Sequence, residues 1–125
     1  NDQGYYPQAI EYFHKSLTIQ DELKNKQGIS IALANIGVAY KNLTNYPQAL
    51  EYYQKSLNIA EELGDKFQIS INLLNMGDIY SSQGNNSQAF EYYQKSLKIS
   101  EEMGDSSGIS YCFKNIGDIY HNQAN

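Results

Sequence analysis

Apolar residues recur at steps of three and four along the chain, the spacing that places them on one face of an α-helix. One such stripe comprises Ile29, Leu33, Ile36, Gly37 and Tyr40. The next comprises Tyr46, Ala49, Leu50, Tyr53, Leu57 and Ala60. Neither stripe alternates from residue to residue as a half-buried strand does. The pattern predicts six helices, over residues 5–24, 27–43, 46–63, 67–83, 86–103 and 107–122.

Residues with special backbone preferences separate the predicted helices. Gly64 and Gly104 each follow a helix, where glycine adopts the left-handed conformation at little cost. Asp65 stands where an N-cap is expected, and Gln68 follows it at the spacing of a capping box. Pro47 lies just inside the third helix, where its missing N–H costs nothing. Short connections of this kind indicate antiparallel helix pairs.

The chain repeats itself with a period of 40 residues. The segment EYYQKSL occurs at residues 51–57 and 91–97, with the near copy EYFHKSL at residues 11–17. A second set runs in step with it, as NIGVAY from Asn35, NMGDIY from Asn75 and NIGDIY from Asn115. Self-similarity at a fixed period of this length is typical of solenoids. We therefore predict one all-α array in which antiparallel helix pairs stack.

These motifs closely resemble the tetratricopeptide repeat. The first helix of that family carries a bulky residue, an apolar–glycine pair and a tyrosine, here Leu33, Ile36-Gly37 and Tyr40. Its second helix carries an alanine, an aromatic residue and a small residue followed by leucine, here Ala49, Tyr53 and Ser56-Leu57. The unit exceeds the family's usual length of about 34 residues. It is similar to the 40-residue variant of Pins/LGN adaptors, kinesin light chains and bacterial tetratricopeptide signalling proteins.

The resemblance implies a right-handed superhelical solenoid with a definite division of the chain. Residues 1–24 form the second helix of a partial repeat, and residues 25–64 and 65–104 form complete repeats. Residues 105–125 form the first helix of another partial repeat. The first helix of each pair is expected to line a concave groove that holds a peptide or partner segment.

The family pattern, carried over residue by residue, gives the groove positions of this chain. They are Asn35, Val38, Lys41, Ile71, Leu74, Asn75, Asp78, Tyr111, Lys114, Asn115 and Asp118. The asparagine is the same in every copy, and its amide offers both a donor and an acceptor to a peptide backbone. Alternatively, these asparagines bond locally or to the next repeat. Asp78 and Asp118, partly offset by Lys41 and Lys114, favour a ligand with a basic or amide-bearing side chain.

Charge and composition exclude some classes of binding partner. The net charge is −5, and all nine cations are lysines, which disfavours nucleic acid and anionic membranes as partners. No apolar stretch approaches the length of a membrane span. Cys112 is the single cysteine, so no disulfide forms within the chain. We expect a cytoplasmic protein, or a periplasmic one if the array belongs to a bacterial sensor.

Tyrosine, lysine, serine and glutamate within EYYQKSL are residue types that serve proton transfer. The three in-phase copies favour a packing role, because an enzyme needs one convergent site. His14 and His121 lie far apart in the array, and no metal-ligand spacing or phosphate loop is present. We therefore predict a non-enzymatic interaction scaffold without a metal or cofactor. The alternative hypothesis is a self-assembling solenoid that stacks head to tail through its terminal helices.

Overall fold

The computed structural model describes residues 6–124, with the side chains of residues 6–122. Over this range the chain is an all-α, right-handed solenoid of six helices. They are α1 (Tyr6–Glu22), α2 (Lys26–Asn42), α3 (Tyr46–Leu63), α4 (Lys66–Ser82), α5 (Asn86–Met103) and α6 (Ser106–Ala124). None of the helices in residues 6–124 combines the length and apolar character needed to cross a membrane. Helices α2 and α3 form one hairpin, and α4 and α5 form the next.

The helix ends lie close to the predicted ones. Helices α3 and α5 have the predicted bounds, whereas α1 ends two residues early, and α6 begins one residue early and ends two residues late. The predicted first residue of α1, Tyr5, lies outside the described residues. Helix α1 ends early because Lys24 takes a left-handed conformation, with φ 54°. The same conformation is found at Gly64 and Gly104, both with φ 68°, as the sequence predicts.

Side-chain oxygens cap the helix starts. Asp65 accepts a hydrogen bond from the Gln68 N–H at 3.1 Å, and Asn25 accepts one from the Gly28 N–H at 3.1 Å. The reciprocal half of the predicted capping box is absent, because the Asp65 N–H donates to the Ala60 carbonyl at 2.9 Å. Each satisfied cap stabilises its helix by about 1 kcal/mol.

The two helices of a hairpin approach most closely at a glycine. A Cβ placed on Gly37 would lie 2.9 Å from the Tyr53 ring, and one on Gly77 would lie 2.8 Å from the Tyr93 ring. The aromatic ring thus fills the space that the missing glycine side chain leaves. Tyr53 and Tyr93 are accordingly buried.

Paired serines cross the same helix contacts. Ser30 and Ser56 lie 3.1 Å apart between their hydroxyl oxygens, and the Ser56 hydroxyl donates to the Ser30 carbonyl at 2.7 Å. Ser70 and Ser96 repeat the pair at 3.0 Å. All four side chains are buried, so these hydrogen bonds satisfy groups that water cannot reach.

Candidate functional site

The predicted groove residues lie on α2, α4 and α6, and the surface that these three helices form is here called the inner face. Two side-chain hydrogen bonds join its three helices. The Lys41 ammonium of α2 donates to the Asn75 Oδ1 of α4 at 3.0 Å. The Tyr111 hydroxyl of α6 donates to the Asp78 Oδ2 of α4 at 3.2 Å. Single side chains therefore bridge the gaps between α2 and α4 and between α4 and α6.

Asp78 is the centre of a polar cluster on this face. Its Oδ1 accepts a short hydrogen bond from the Tyr93 hydroxyl, and its Oδ2 lies 3.9 Å from the Lys41 ammonium. Together with the Tyr111 bond, these contacts engage both carboxylate oxygens. The Asp78 side chain is 21% exposed, so it is largely withdrawn from water but remains at the surface of the groove. Helices α2, α4, α5 and α6 therefore meet at one carboxylate.

Sequence reasoning missed the contribution of Tyr93 to this cluster. The Tyr93 ring belongs to the hairpin core, as its apolar stripe predicts, but its hydroxyl reaches through the α4–α5 contact to Asp78. The repeat contains a signal for this contact. Tyr53 and Tyr93 occupy the same repeat position, one period apart. On the helices that they face, the corresponding position holds Val38 in the first hairpin and Asp78 in the second. Only the second hairpin pairs a tyrosine with a carboxylate.

The three asparagines have different surroundings. Asn75 is half-buried, and its amide oxygen is engaged by Lys41, so the interpretation of a bond to the neighbouring repeat applies to this residue. The amide nitrogen of Asn115 is buried and makes no hydrogen bond of normal geometry among the described residues, although the Asn115 side chain lies near enough to the Tyr111 hydroxyl to lower its pKa. Asn35 lines an apolar pocket of about 210 Å³ together with Phe13 and Val38. The row is therefore equivalent in position but not in hydrogen bonding.

The acidic residues of the inner face each have a lysine partner. Lys41 and Asp78 pair between helices with side chains 23% and 21% exposed, whereas Lys114 and Asp118 pair within α6 at 3.2 Å with both side chains exposed. The two carboxylates and two ammonium groups balance. The local charge of the face is consequently closer to neutral than the two aspartates alone suggest.

The remaining predicted groove residues are apolar or aromatic. Ile71 and Leu74 are half-buried on α4, and Leu74 packs against the core formed by Ala89 and Tyr93. Val38 packs against the neighbouring core, whereas Tyr111 is 44% exposed. Val38 and Leu74 thus serve the fold as well as the surface, and Tyr111 offers the larger free aromatic area.

The protonation states favour hydrogen-bond donation over acid–base chemistry. Burial, then the nearby Asp78 carboxylate, raises the pKa of Tyr53 above its ordinary value. Burial and the hydrogen bond to Asp78 raise the pKa of Tyr93, and burial raises that of Tyr111. These phenols therefore stay protonated at neutral pH. Burial also raises the pKa of the Cys112 thiol, which favours the less reactive protonated form.

The EYYQKSL segment is accounted for by packing. Tyr52 stacks on Tyr40 with ring centroids 5.7 Å apart and receives His14 edge-on at 5.9 Å. Lys55 lies 3.6 Å from Glu51 and 5.0 Å from the Tyr52 ring centroid. The tyrosine stacking, the ion pair and the lysine–ring contact recur around Tyr92. Within residues 6–124, no group of three or more histidine, cysteine, aspartate or glutamate side chains is arranged to hold a metal ion.

Comparisons with known proteins agree with this architecture. A sequence model of the family described as Tetratricopeptide repeat matches residues 1–62 and residues 28–102. No curated protein sequence gives a significant match to the chain.

Solved structures show the same fold. Aspartyl phosphate phosphatase F from Bacillus subtilis aligns with a TM-score of 0.82 at 24% identity, covering 89% of this chain and 29% of its own. BtubC (BKLC) from P. vanneervenii aligns with a TM-score of 0.84 at 20% identity, covering 97% and 51%. The apo form of RapI aligns with a TM-score of 0.74 at 25% identity, covering 98% and 50%. The chain thus spans between 29% and 51% of the length of these proteins.

Proposed function

Because the chain belongs to the tetratricopeptide repeat family, we propose that its inner face binds an extended segment of a partner protein. Repeats of this family are typically non-catalytic binding modules, and the fold is that of a protein–protein interaction scaffold. The more specific proposal concerns the mode of binding. Asn35, Asn75 and Asn115 hydrogen-bond the backbone of the bound segment, and the side chains around them select its sequence.

The observation that carries the proposal is the unpartnered amide nitrogen of Asn115. A buried donor without a partner costs about 1–3 kcal/mol. A peptide carbonyl is the complementary acceptor, and a rotation of the Asn115 side chain that turns this nitrogen towards the groove would let ligand binding recover this energy. Asn115 lies on the inner face beside Tyr111, whose exposed ring supplies apolar contact area next to the polar group.

Asn75 supports the same mode of backbone binding, but its amide oxygen is already hydrogen-bonded within the protein. Lys41 holds its amide oxygen, which fixes the plane of the amide and leaves the nitrogen as the donor for a ligand. A side chain already held in one orientation loses little conformational entropy on binding. Asn75 therefore acts as a preorganised donor in the middle of the row.

Charge on the inner face favours an amide-bearing ligand side chain over a basic one. A lysine or arginine of the ligand would have to displace Lys41 from Asp78, or Lys114 from Asp118. A glutamine or asparagine side chain makes hydrogen bonds without displacing either ion pair. We therefore place amide-bearing segments ahead of basic ones as ligands.

An array of short peptides with neutral, amide-rich, basic and acidic sequences tests the proposal. Affinities of the best binders are then measured by fluorescence anisotropy against Asn115→Ala and Asn75→Ala variants. Loss of one ligand hydrogen bond of about 1 kcal/mol weakens binding by roughly fivefold. Asn58→Ala, on the exposed side of α3, is the matched control and should bind as the parent does. Equal affinity for parent and both inner-face variants would reject the asparagine row.

A further inference from the structure

A groove of about 560 Å³ lies between the second helices of the two complete hairpins, α3 and α5. Its floor is formed by four apolar side chains, Leu57 of α3, Ile69 and Leu73 of α4, and Ile99 of α5. These side chains belong to the core cluster that joins the two hairpins or pack against it. Glu61 of α3 and Lys98 of α5 line the groove on its two rims, and both are exposed. This surface is here called the outer groove.

The outer groove and the inner face lie on opposite sides of α4. Asp78 follows Ile69 by nine residues (78 − 69), which is about two and a half turns and therefore half a turn around the helix. The outer groove is bounded on both sides by helices of complete hairpins. Because each repeat of a solenoid contacts only its neighbours, further repeats at either end of the array would leave this groove open.

The equivalent position between α1 and α3 is covered by a side chain of the protein itself. There His14 packs edge-on against Tyr52, with ring centroids 5.9 Å apart. Gln54 takes the place of His14 one period later and has no ring to pack against Tyr92. Its amide instead donates to Asn58 along the same helix at 2.9 Å. One substitution within the repeat thus leaves space beside Tyr92 in the outer groove.

The two rims of the outer groove carry opposite charges. Neither Glu61 nor Lys98 makes an ion pair among the described residues. The other charged residues that line the groove are paired, Lys95 with Glu91 at 3.4 Å and Glu102 with Lys66 at 3.3 Å. Between α1 and α3, the position of Lys98 is held by Asn58. The combination of open space and two unpaired rim charges therefore belongs to the outer groove.

We propose that the outer groove binds an amphipathic helix of a partner protein, which places an acidic residue towards Lys98 and a basic residue towards Glu61. In helix-in-groove binding, an apolar stripe packs on an apolar floor, and charges that flank the stripe select the partner. Tyr92 and Glu102, which both line the groove, lie ten residues apart on α5 (102 − 92). This distance is about 15 Å, which accommodates about three turns of a bound helix.

The charge pattern disfavours other apolar occupants. A fatty acid or an anionic membrane surface would be attracted by Lys98 but repelled by Glu61 and Glu102, which lie in the last turns of α3 and α5. The carbonyl groups at these helix ends add negative potential at the same end of the groove. A partner with only basic residues would be repelled by Lys98. A helix with charges of both signs complements both rims.

Stapled helical peptides of about two heptads, with leucine in the apolar stripe, test the proposal by fluorescence anisotropy. Three versions carry mixed, all-glutamate or all-lysine flanks, and the parent should bind the mixed version most tightly. Lys98→Glu should shift the preference towards the all-lysine peptide, and Glu61→Lys towards the all-glutamate peptide. Each shift should be roughly twofold to fivefold, as expected for one exposed ion pair. The double variant should prefer the mixed peptide again.

Variants of the floor and matched controls locate the bound peptide. Gln54→His supplies the side chain that covers the position between α1 and α3, and it should weaken binding of the mixed peptide by roughly tenfold or more. Ile99→Gln should do the same if Gln54→His fails to fold by circular dichroism. Lys15→Glu makes the same charge change as Lys98→Glu on the exposed side of α1 and should bind as the parent does. Asn75→Ala, on the inner face, should also leave this binding unchanged, which separates the result from the proposed function.

Three outcomes would overturn the proposal. The first is an absence of binding by all three peptides up to roughly millimolar concentration. The second is the same order of peptide affinities in the parent, Lys98→Glu and Glu61→Lys. The third is evidence for another occupant, either self-association of the chain or binding of myristate that Gln54→His abolishes. Those results would assign the outer groove to a second copy of the chain or to a small amphiphile.

Discussion

The Tyr93 hydroxyl donates a hydrogen bond to the Asp78 carboxylate across the contact between α5 and α4. One repeat earlier, Tyr53 holds the equivalent position, and its buried hydroxyl has no partner among the described residues. The difference follows from one substitution within the repeat, because Val38 stands where Asp78 stands. The two tyrosines occupy the same position in the repeat, but their hydroxyl groups therefore contribute differently to the free energy of unfolding.

Replacing each tyrosine by phenylalanine should change the free energy of unfolding by different amounts. Tyr93→Phe loses a hydrogen bond to a charged group and should lower the free energy of unfolding by about 1–2 kcal/mol. Tyr53→Phe removes an unsatisfied buried group and should be neutral or slightly stabilising, within about 0.5 kcal/mol. Urea denaturation of the two variants measures both values, each serving as the control for the other. Equal losses would contradict the assigned hydrogen bonding.

Alkaline pH should destabilise the fold through the same side chains. The pKa values of Tyr53 and Tyr93 are raised in the folded protein above the ordinary value of 10.0, chiefly by burial. Their contribution is therefore complete below pH 10 and is lost as the pH rises towards the folded pKa values. Each tyrosine contributes a slope of up to about 1.4 kcal/mol per pH unit in that window.

Denaturant titrations at increasing pH above 10, compared with neutral pH, measure this loss. Tyr53→Phe removes one of the phenols whose pKa is raised by burial and should make the fall in stability with pH shallower without harming stability at neutral pH. An identical pH profile for Tyr53→Phe and the parent would show that Tyr53 does not titrate with unfolding.

The glycines provide a second matched pair. Gly77→Val pushes a side chain into the Tyr93 ring and should lower the free energy of unfolding by about 1–3 kcal/mol through overpacking. Gly117→Val occupies the same position on α6 but meets nothing within 4 Å among the described residues. In the 125-residue chain it should leave stability unchanged or raise it by up to about 0.5 kcal/mol, because glycine is a poor helix former. Thermal unfolding at low concentration distinguishes the two, and equal losses would place Gly77 away from the hairpin contact.

Lys41 should control the ligand preference of the inner face. Lys41→Met keeps much of the side-chain volume but leaves Asp78 without its ammonium partner, and it frees the Asn75 amide oxygen. Peptides with a basic residue should then gain affinity over amide-bearing ones by about threefold to tenfold, as expected for one partly buried charge contact. Lys55→Met, on the exposed side of α3, should leave the preference unchanged. If both variants showed the same ratio of affinities for basic and amide-bearing peptides, Lys41 would have no role in the ligand specificity of the inner face.

The helices were predictable because their signals are local. Apolar spacing, the glycines after α3 and α5, and the N-cap at Asp65 all act within one or two turns of a helix. The early end of α1 was not, because Lys24 adopts the left-handed conformation without being glycine. Non-glycine residues in that conformation depend on the surrounding turn more than on their own preference.

The inner face was predictable in outline only. The repeat period places Asn75, Asp78 and Lys41 on the same surface, but it does not show that they bond to one another. Those bonds join residues 34 and 37 positions apart (75 − 41 and 78 − 41), and they depend on how closely α2 and α4 approach. Only the packed structure defines that distance, and with it which amide atoms remain for a ligand.

The paired serines fix the register between the two helices of each complete hairpin. A slip of one turn between α2 and α3 would keep most of the apolar contact but separate Ser30 from Ser56, leaving two hydroxyls stranded in a dry interface. Each stranded group would cost about 1–3 kcal/mol. The apolar stripes bring the helices together, but they tolerate sliding. Misaligned hairpins are thus higher in free energy, and both complete 40-residue repeats pack their helices in the same register.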